Sequence, residues 1–286
     1  MIVPKNRELR FDLYRFQIVP NSTQEGGLFD LPLEEVITRK NEFFGDILSR
    51  KRKKIFSKRH DGIATKTVAN LDGFTVFRLG NKKHKRVQNK NLEKIEVEDY
   101  PDVYVLINND PEVQTIAISK NIDAFSESLV VAGILEKSFA VPLAAYQLSI
   151  YIQPVFEEKS FWSLVKRYEG KIKSLKFDLI KPNLANISGS FRNEIRSLAD
   201  NVNSHRTEVK LNAPKEAALE NVNEENGQID DLVKYASKGG GEISVRVKGM
   251  SKTMKTNKSI KEITISEMTL KGEPEEVVEA LKTILR

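Results

Sequence analysis

The chain has 286 residues, 40% hydrophobic and 30% charged, with no cysteine and a formal net charge of +6. That length suits two domains with real cores, and the absence of thiols excludes disulfides, thiolate metal sites and cysteine nucleophiles, as suits a reducing cytoplasm. The start, MIVPKNRELRF, has no apolar signal segment, and the longest mostly apolar stretch, 128–146, is broken by Glu136, Lys137 and Pro142, so a cytoplasmic protein without membrane insertion is expected.

ELRFDLYRFQIV (8–19) alternates Leu9, Phe11 and Leu13 with polar neighbours, a strand period. Residues 31–48 carry Leu33, Val36, Ile37, Phe43, Phe44, Ile47 and Leu48 at helical spacing. RKRKKIFSKRH (50–60) follows, with seven Lys or Arg in eleven positions and no acid. Strands are expected at 72–79, 102–108 and 113–119, the last two joined into a hairpin by the turn sequence NDPE. KKHKR (82–86) falls on a turn after the first of these strands. A helical pattern runs from Ala124 to about Lys137, and 148–155 reads as a strand.

Further on, 157–170 is a helix closed by Gly170. A strand at 172–182, a helix at 188–202 and a strand at 205–212 come next. The acidic stretch 213–228 has no stable period and reads as a mobile connection. A helix at 229–237 ends in GGG, and a strand follows at 242–249. A lysine-rich hairpin tip (250–261) leads into strand 262–268, and Pro274 opens a last helix. This order predicts an α+β fold in two domains: a β-rich one over 1–145 that carries the basic patch, and a mixed sheet packed by helices over 146–286.

The charge is unevenly spread. Between Arg50 and Lys94 stand fifteen Lys or Arg against three acids, an excess of twelve in a chain whose total is +6, so the remainder is acidic. Such a division is the electrostatic footprint of a polyanion binder. Three clusters are candidate phosphate contacts. The first is Arg50, Lys51, Arg52, Lys53, Lys54, Lys58 and Arg59, and the second is Lys82, Lys83, Lys85 and Arg86. The third is Lys252, Lys255 and Lys258, with Lys261 beside them. Flexible cations of this kind bind a phosphate backbone without reading bases.

Signals for catalysis are weaker. His60, His84 and His205 are scattered, with no second histidine one turn away, so no metal site is expected on them. GGG at 239–241 leaves a helix and enters a strand, the reverse of a phosphate loop. Glu208 and Lys210, with Asp178 on the preceding strand, are the residue types of a Mg²⁺-dependent nuclease: two carboxylates for the metal, and a lysine for the attacking water or the developing charge. That core uses a hairpin, whereas a helical pattern separates these two strands in sequence. No catalytic residue, metal or cofactor is therefore assigned. Three functions follow: non-specific nucleic-acid binding, with DNA favoured; a nuclease on Asp178, Glu208 and Lys210; or an interaction subunit whose basic patch docks an acidic partner protein.

The stretch DGFTVFRLGNKKHKRVQNKNLEKIEVEDYPDVYVLINNDPEVQTIAISKN resembles, in length and element order, the N-terminal half of the RexA-like phage-exclusion family, where a short aromatic strand also precedes a basic stretch and a β-rich segment. FWSLVKRYEGKIKSLKFDLIKPN and DDLVKYASKGGGEISVRVKG are similar to small bacterial proteins of unknown function. The resemblance covers most of the chain by element order, with no diagnostic catalytic motif. It implies a two-domain homodimer that binds double-stranded DNA with little sequence preference and acts in antiphage defence.

Overall fold

A computed structural model of the chain describes residues 7–21, 31–50, 62–181, 199, 201–202 and 204–285. Among them are five α-helices and thirteen strands, an α+β fold. The expected helix at 188–202 falls almost wholly outside these residues. Two compact units account for the chain: 1–12, 40–146 and 262–286 in the first, and 13–39 and 147–261 in the second. The chain changes unit at 146/147, beside the boundary expected from sequence, and also at 12/13, 39/40 and 261/262.

In the first unit the strand order is β13 (Glu262–Ser266), the first half of β1 (Glu8–Pro20), β7 (Thr115–Ser119), β6 (Asp102–Asn108), β3 (Phe74–Asn81) and β2 (Ile63–Leu71). DVYVLIN makes β6 a central strand, with Val103, Val105, Leu106 and Ile107 all buried. β2 is the edge; its alternation of Thr, Lys and Ala leaves one side polar, and α5 (Pro274–Ile284) packs against it. That helix starts as its sequence suggests, with Pro274 in the first turn and a reciprocal capping box between Glu273 and Glu276. Val277, Val278 and Leu281 form its buried stripe. α1 (Leu33–Ser49) buries Phe43, Phe44, Ile47 and Leu48, and Phe44 meets Phe139 of α2 (Ser128–Ala144) edge to face at 5.2 Å.

In the second unit the rest of β1 pairs with β8 (Leu148–Pro154), Tyr14 opposite Pro154. A four-stranded antiparallel sheet runs β10 (Arg206–Asn212), β9 (Ile172–Ile180), β11 (Gly241–Val247), β12 (Met254–Lys255). One face, with Leu175, Phe177, Leu179, Ile243 and Val245, packs with α3 (Glu158–Arg167) and α4 (Gly227–Tyr235) through Phe161, Trp162, Val165, Ile229, Leu232 and Val233. The other face is polar, as the alternation predicts.

The acidic stretch 213–226 is not a mobile connection. Leu219 and Val222 pack on the core, and the Leu219 amide donates to the Ile172 carbonyl at 2.7 Å. The Lys173 ammonium donates to the carbonyls of Pro214, Lys215 and Ala217 at 2.9, 2.7 and 2.5 Å. One lysine thus supplies the donors that a segment without regular structure lacks.

Candidate nucleic-acid interface

Lys51, Arg52, Lys53, Lys54, Lys58 and Arg59 lie outside the described residues, so Arg50 alone represents the first basic cluster among them. Arg50 follows α1, and its guanidinium donates to the Tyr146 hydroxyl at 2.9 Å. Where the described residues resume, the Gly62 carbonyl accepts from the Lys82 amide at 2.8 Å, and Ile63 pairs with Asn81.

Lys83, Lys85 and Arg86 are on β4 (Lys83–Gln88), a strand and not a turn, with Lys82 immediately before it. β4 is exposed along its whole length and pairs only with β5 (Lys94–Asp99). An isolated two-stranded ribbon is marginal without such side-chain support, and here the support is charge. KIEVED sets Asp99, Glu98 and Glu96 opposite Lys83, His84 and Arg86. Lys85 meets Asp99 at 2.5 Å, Lys82 pairs with Glu98, and His84 stands 3.9 Å from Glu96. The bond from Lys82 holds the Glu98 carboxyl below its usual range, and the bond from Lys85 does the same for Asp99. Lys83 and Arg86 make no ion pair among the described residues. A further cation of the basic segment, Arg78, is held by Asp102 through two bonds, the longer at 2.6 Å.

Glu96, Glu98 and Asp99 bring the hairpin closer to neutral than its basic strand alone. The signal was present: two six-residue charged runs of opposite sign flank the turn sequence NKNL. Asn89 closes that turn, its side-chain oxygen accepting from the Asn91 and Glu93 amides.

The third cluster is split: Lys252 lies in the loop of the short β11–β12 hairpin, and Lys255 and Lys258 lie beyond it on β12 and the turn that follows. β11 pairs with β12, while β13 pairs with β1 of the first unit. The segment between is stitched down. The Thr256 hydroxyl accepts from the Ile243 amide at 3.1 Å and faces the Ile243 carbonyl at 3.4 Å, and the Asn257 amide donates to Glu242 at 2.8 Å. Ile260 bridges to Phe156, and the Lys261 amide donates to the Val155 carbonyl at 2.7 Å. Lys255 pairs with Glu242 at 2.7 Å, while Lys252 and Lys258 are exposed. Thr256→Val leaves the buried Ile243 amide without its acceptor and is expected to cost about 1–3 kcal/mol, read as a lower midpoint in urea.

Asp178, Glu208 and Lys210 share the polar face of the four-stranded sheet. The helical pattern between their strands does not keep the strands apart: β9 and β10 are direct neighbours, and Glu208 stands opposite Asp178. Glu242 of β11 stands opposite Asp178 on its other side. Cations occupy these carboxylates. Arg206 grips Asp178 with two bonds, one at 2.6 Å, and Lys176 meets Glu208 at 2.5 Å. Lys210 is opposite Lys176 instead of reaching into the carboxylate row. Among the described residues no group of His, Asp or Glu side chains has the arrangement to hold a metal ion. In the same residues no helix is long and apolar enough to cross a membrane.

No model of a known protein family matches the chain, and no curated protein matches it.

Proposed function

We propose that the chain binds nucleic acid without reading its sequence, duplex DNA being favoured, through the tract 50–59 and the β4–β5 hairpin. The observation that supports this most is the division of charge, fifteen Lys or Arg against three acids between Arg50 and Lys94 in a chain whose total is +6. The tract, which has no acid of its own, supplies the long-range field. The hairpin supplies close contacts, since exposed ion pairs such as Lys85–Asp99 are worth only about 0.2–1 kcal/mol and exchange readily for phosphate. The resemblance to RexA-like proteins adds the setting: antiphage defence, as a homodimer in the cytoplasm.

The test is a titration of the full chain against duplex DNA, single-stranded DNA and RNA between about 50 and 200 mM salt, with and without Mg²⁺. Binding that is tightest to duplex and falls steeply with salt is expected; affinity independent of salt would sink the reading. The same samples, run on a gel, are expected to show no Mg²⁺-dependent cutting, because Arg206 and Lys176 hold the carboxylates a metal would need. Cutting that disappears in Glu208→Ala would transfer the function to the nuclease reading.

A further inference from the structure

α3 carries Lys159, Ser163 and Arg167 at intervals of four, so the three side chains stand on one face of the helix. Three other helical cations among the described residues meet an acid one turn away: Arg39 bonds Glu35, Lys234 bonds Asp230, and Lys282 bonds Glu279. On α3 the position one turn from both cations is a serine. Neither Lys159 nor Arg167 makes an ion pair or hydrogen bond among the described residues. Two cations without an acid partner thus flank a hydroxyl on one helix face.

That helix face is one wall of a cleft of about 520 Å³, within the ~300–1,000 Å³ of small-molecule sites. The opposite wall ends in Met254 and Ser259, held in place by the Thr256, Asn257 and Ile260 contacts described above. Ser160, Ser259 and Tyr168 add hydroxyls, against a single lining carboxylate, Glu157. A balance of many donors to one acceptor suits an anion. The helical rise sets Lys159 and Arg167 about 12 Å apart along the axis, so a ligand that engages both carries more than one anionic group. Tyr168 and Met254 offer the flat and polarizable surface that a base would cover.

We propose that this cleft binds a nucleoside diphosphate, with its phosphates between Lys159 and Arg167 over Ser163 and its base against Tyr168 and Met254. The site is built from residues other than those of the basic tract and hairpin, and the proposal does not rest on their role.

Calorimetric titration of the full chain with ADP, pyrophosphate, inorganic phosphate and a 5′-phosphorylated oligonucleotide tests it, using wild type, Arg167→Ala and Ser163→Glu. The last variant places an acid one turn from both cations, which supports the helix and fills the anion's place; a circular dichroism spectrum checks its fold. ADP is expected to bind saturably, at least tenfold more weakly in Arg167→Ala and not at all in Ser163→Glu, with duplex DNA affinity unchanged in both. Pyrophosphate is expected to bind at least tenfold more weakly than ADP. No saturable ADP binding, or binding indifferent to Ser163→Glu, would overturn the site. Pyrophosphate as tight as ADP would overturn the nucleoside, and a tighter, Ser163-dependent oligonucleotide would assign the cleft to strand ends and overturn the free nucleotide.

Discussion

Replacing Lys51, Arg52, Lys53 and Lys54 with glutamate is expected to weaken duplex DNA binding more than any other change to the surface of this chain. Each phosphate contact releases counterions and contributes roughly 0.9 to the slope of log affinity against log salt. Four lost contacts should therefore lower that slope by roughly 3 to 4. The hairpin cannot make up the loss, because Glu96, Glu98 and Asp99 face its cations across the ribbon. Charge reversal of Lys83 and Arg86 alone should lower the slope by no more than about 2. Affinity measured at four or five salt concentrations separates the two variants. A slope in the fourfold variant equal to that of wild type would remove the tract from the interface.

Gly241→Ala is expected to destabilise the second unit by about 3 kcal/mol, the upper end of the usual cost of overpacking. Three glycines leave α4 and enter β11, and each lies where a side chain has no room. A Cβ on Gly241 would fall inside the Asp178 carbonyl oxygen and 3.0 Å from Leu179 Cα, both backbone atoms of a paired strand that cannot move aside. On Gly240 it would meet the Tyr235 ring, and on Gly239, at φ +84°, the Arg15 side chain. Trp162, the one tryptophan of the chain, is buried in the core of this unit and reports its unfolding. Its fluorescence transition should fall by roughly 10 °C. A transition at the wild-type temperature would show that β9 and β11 yield more easily than a ladder should.

The two expectations draw on information of different kinds. The helix exit at GGG was legible in the sequence, since three glycines between a helical and a strand pattern mark a turn and not a phosphate loop. So were β6, β9 and α5, whose signals are local: an apolar run in DVYVLIN, a period of two in IKSLKFDLI, and Pro274 ahead of a stripe at Val277, Val278 and Leu281. Each of these elements buries one face or both, and burial writes a run or a period into the residues themselves.

No hydrophobic period marks β4 and β5. KHKRVQ and KIEVED are solvated on both faces, so no period is imposed on either, and what pairs them is charge opposite charge across the ribbon. The stretch 213–228 looked mobile for a related reason: the order of its first part comes from Lys173, some forty residues earlier. The pairing of β13 with β1 joins the two ends of the chain, and a hairpin with β11 was the shorter route that the sequence suggested. Composition and periodicity determined by themselves that this chain is an α+β protein with one strongly basic segment in an acidic body. Tertiary structure alone decided which charges neutralise one another, because Lys85 and Asp99, Arg206 and Asp178, and Lys176 and Glu208 come together only through strand register, and register depends on the partner strand as much as on the strand itself.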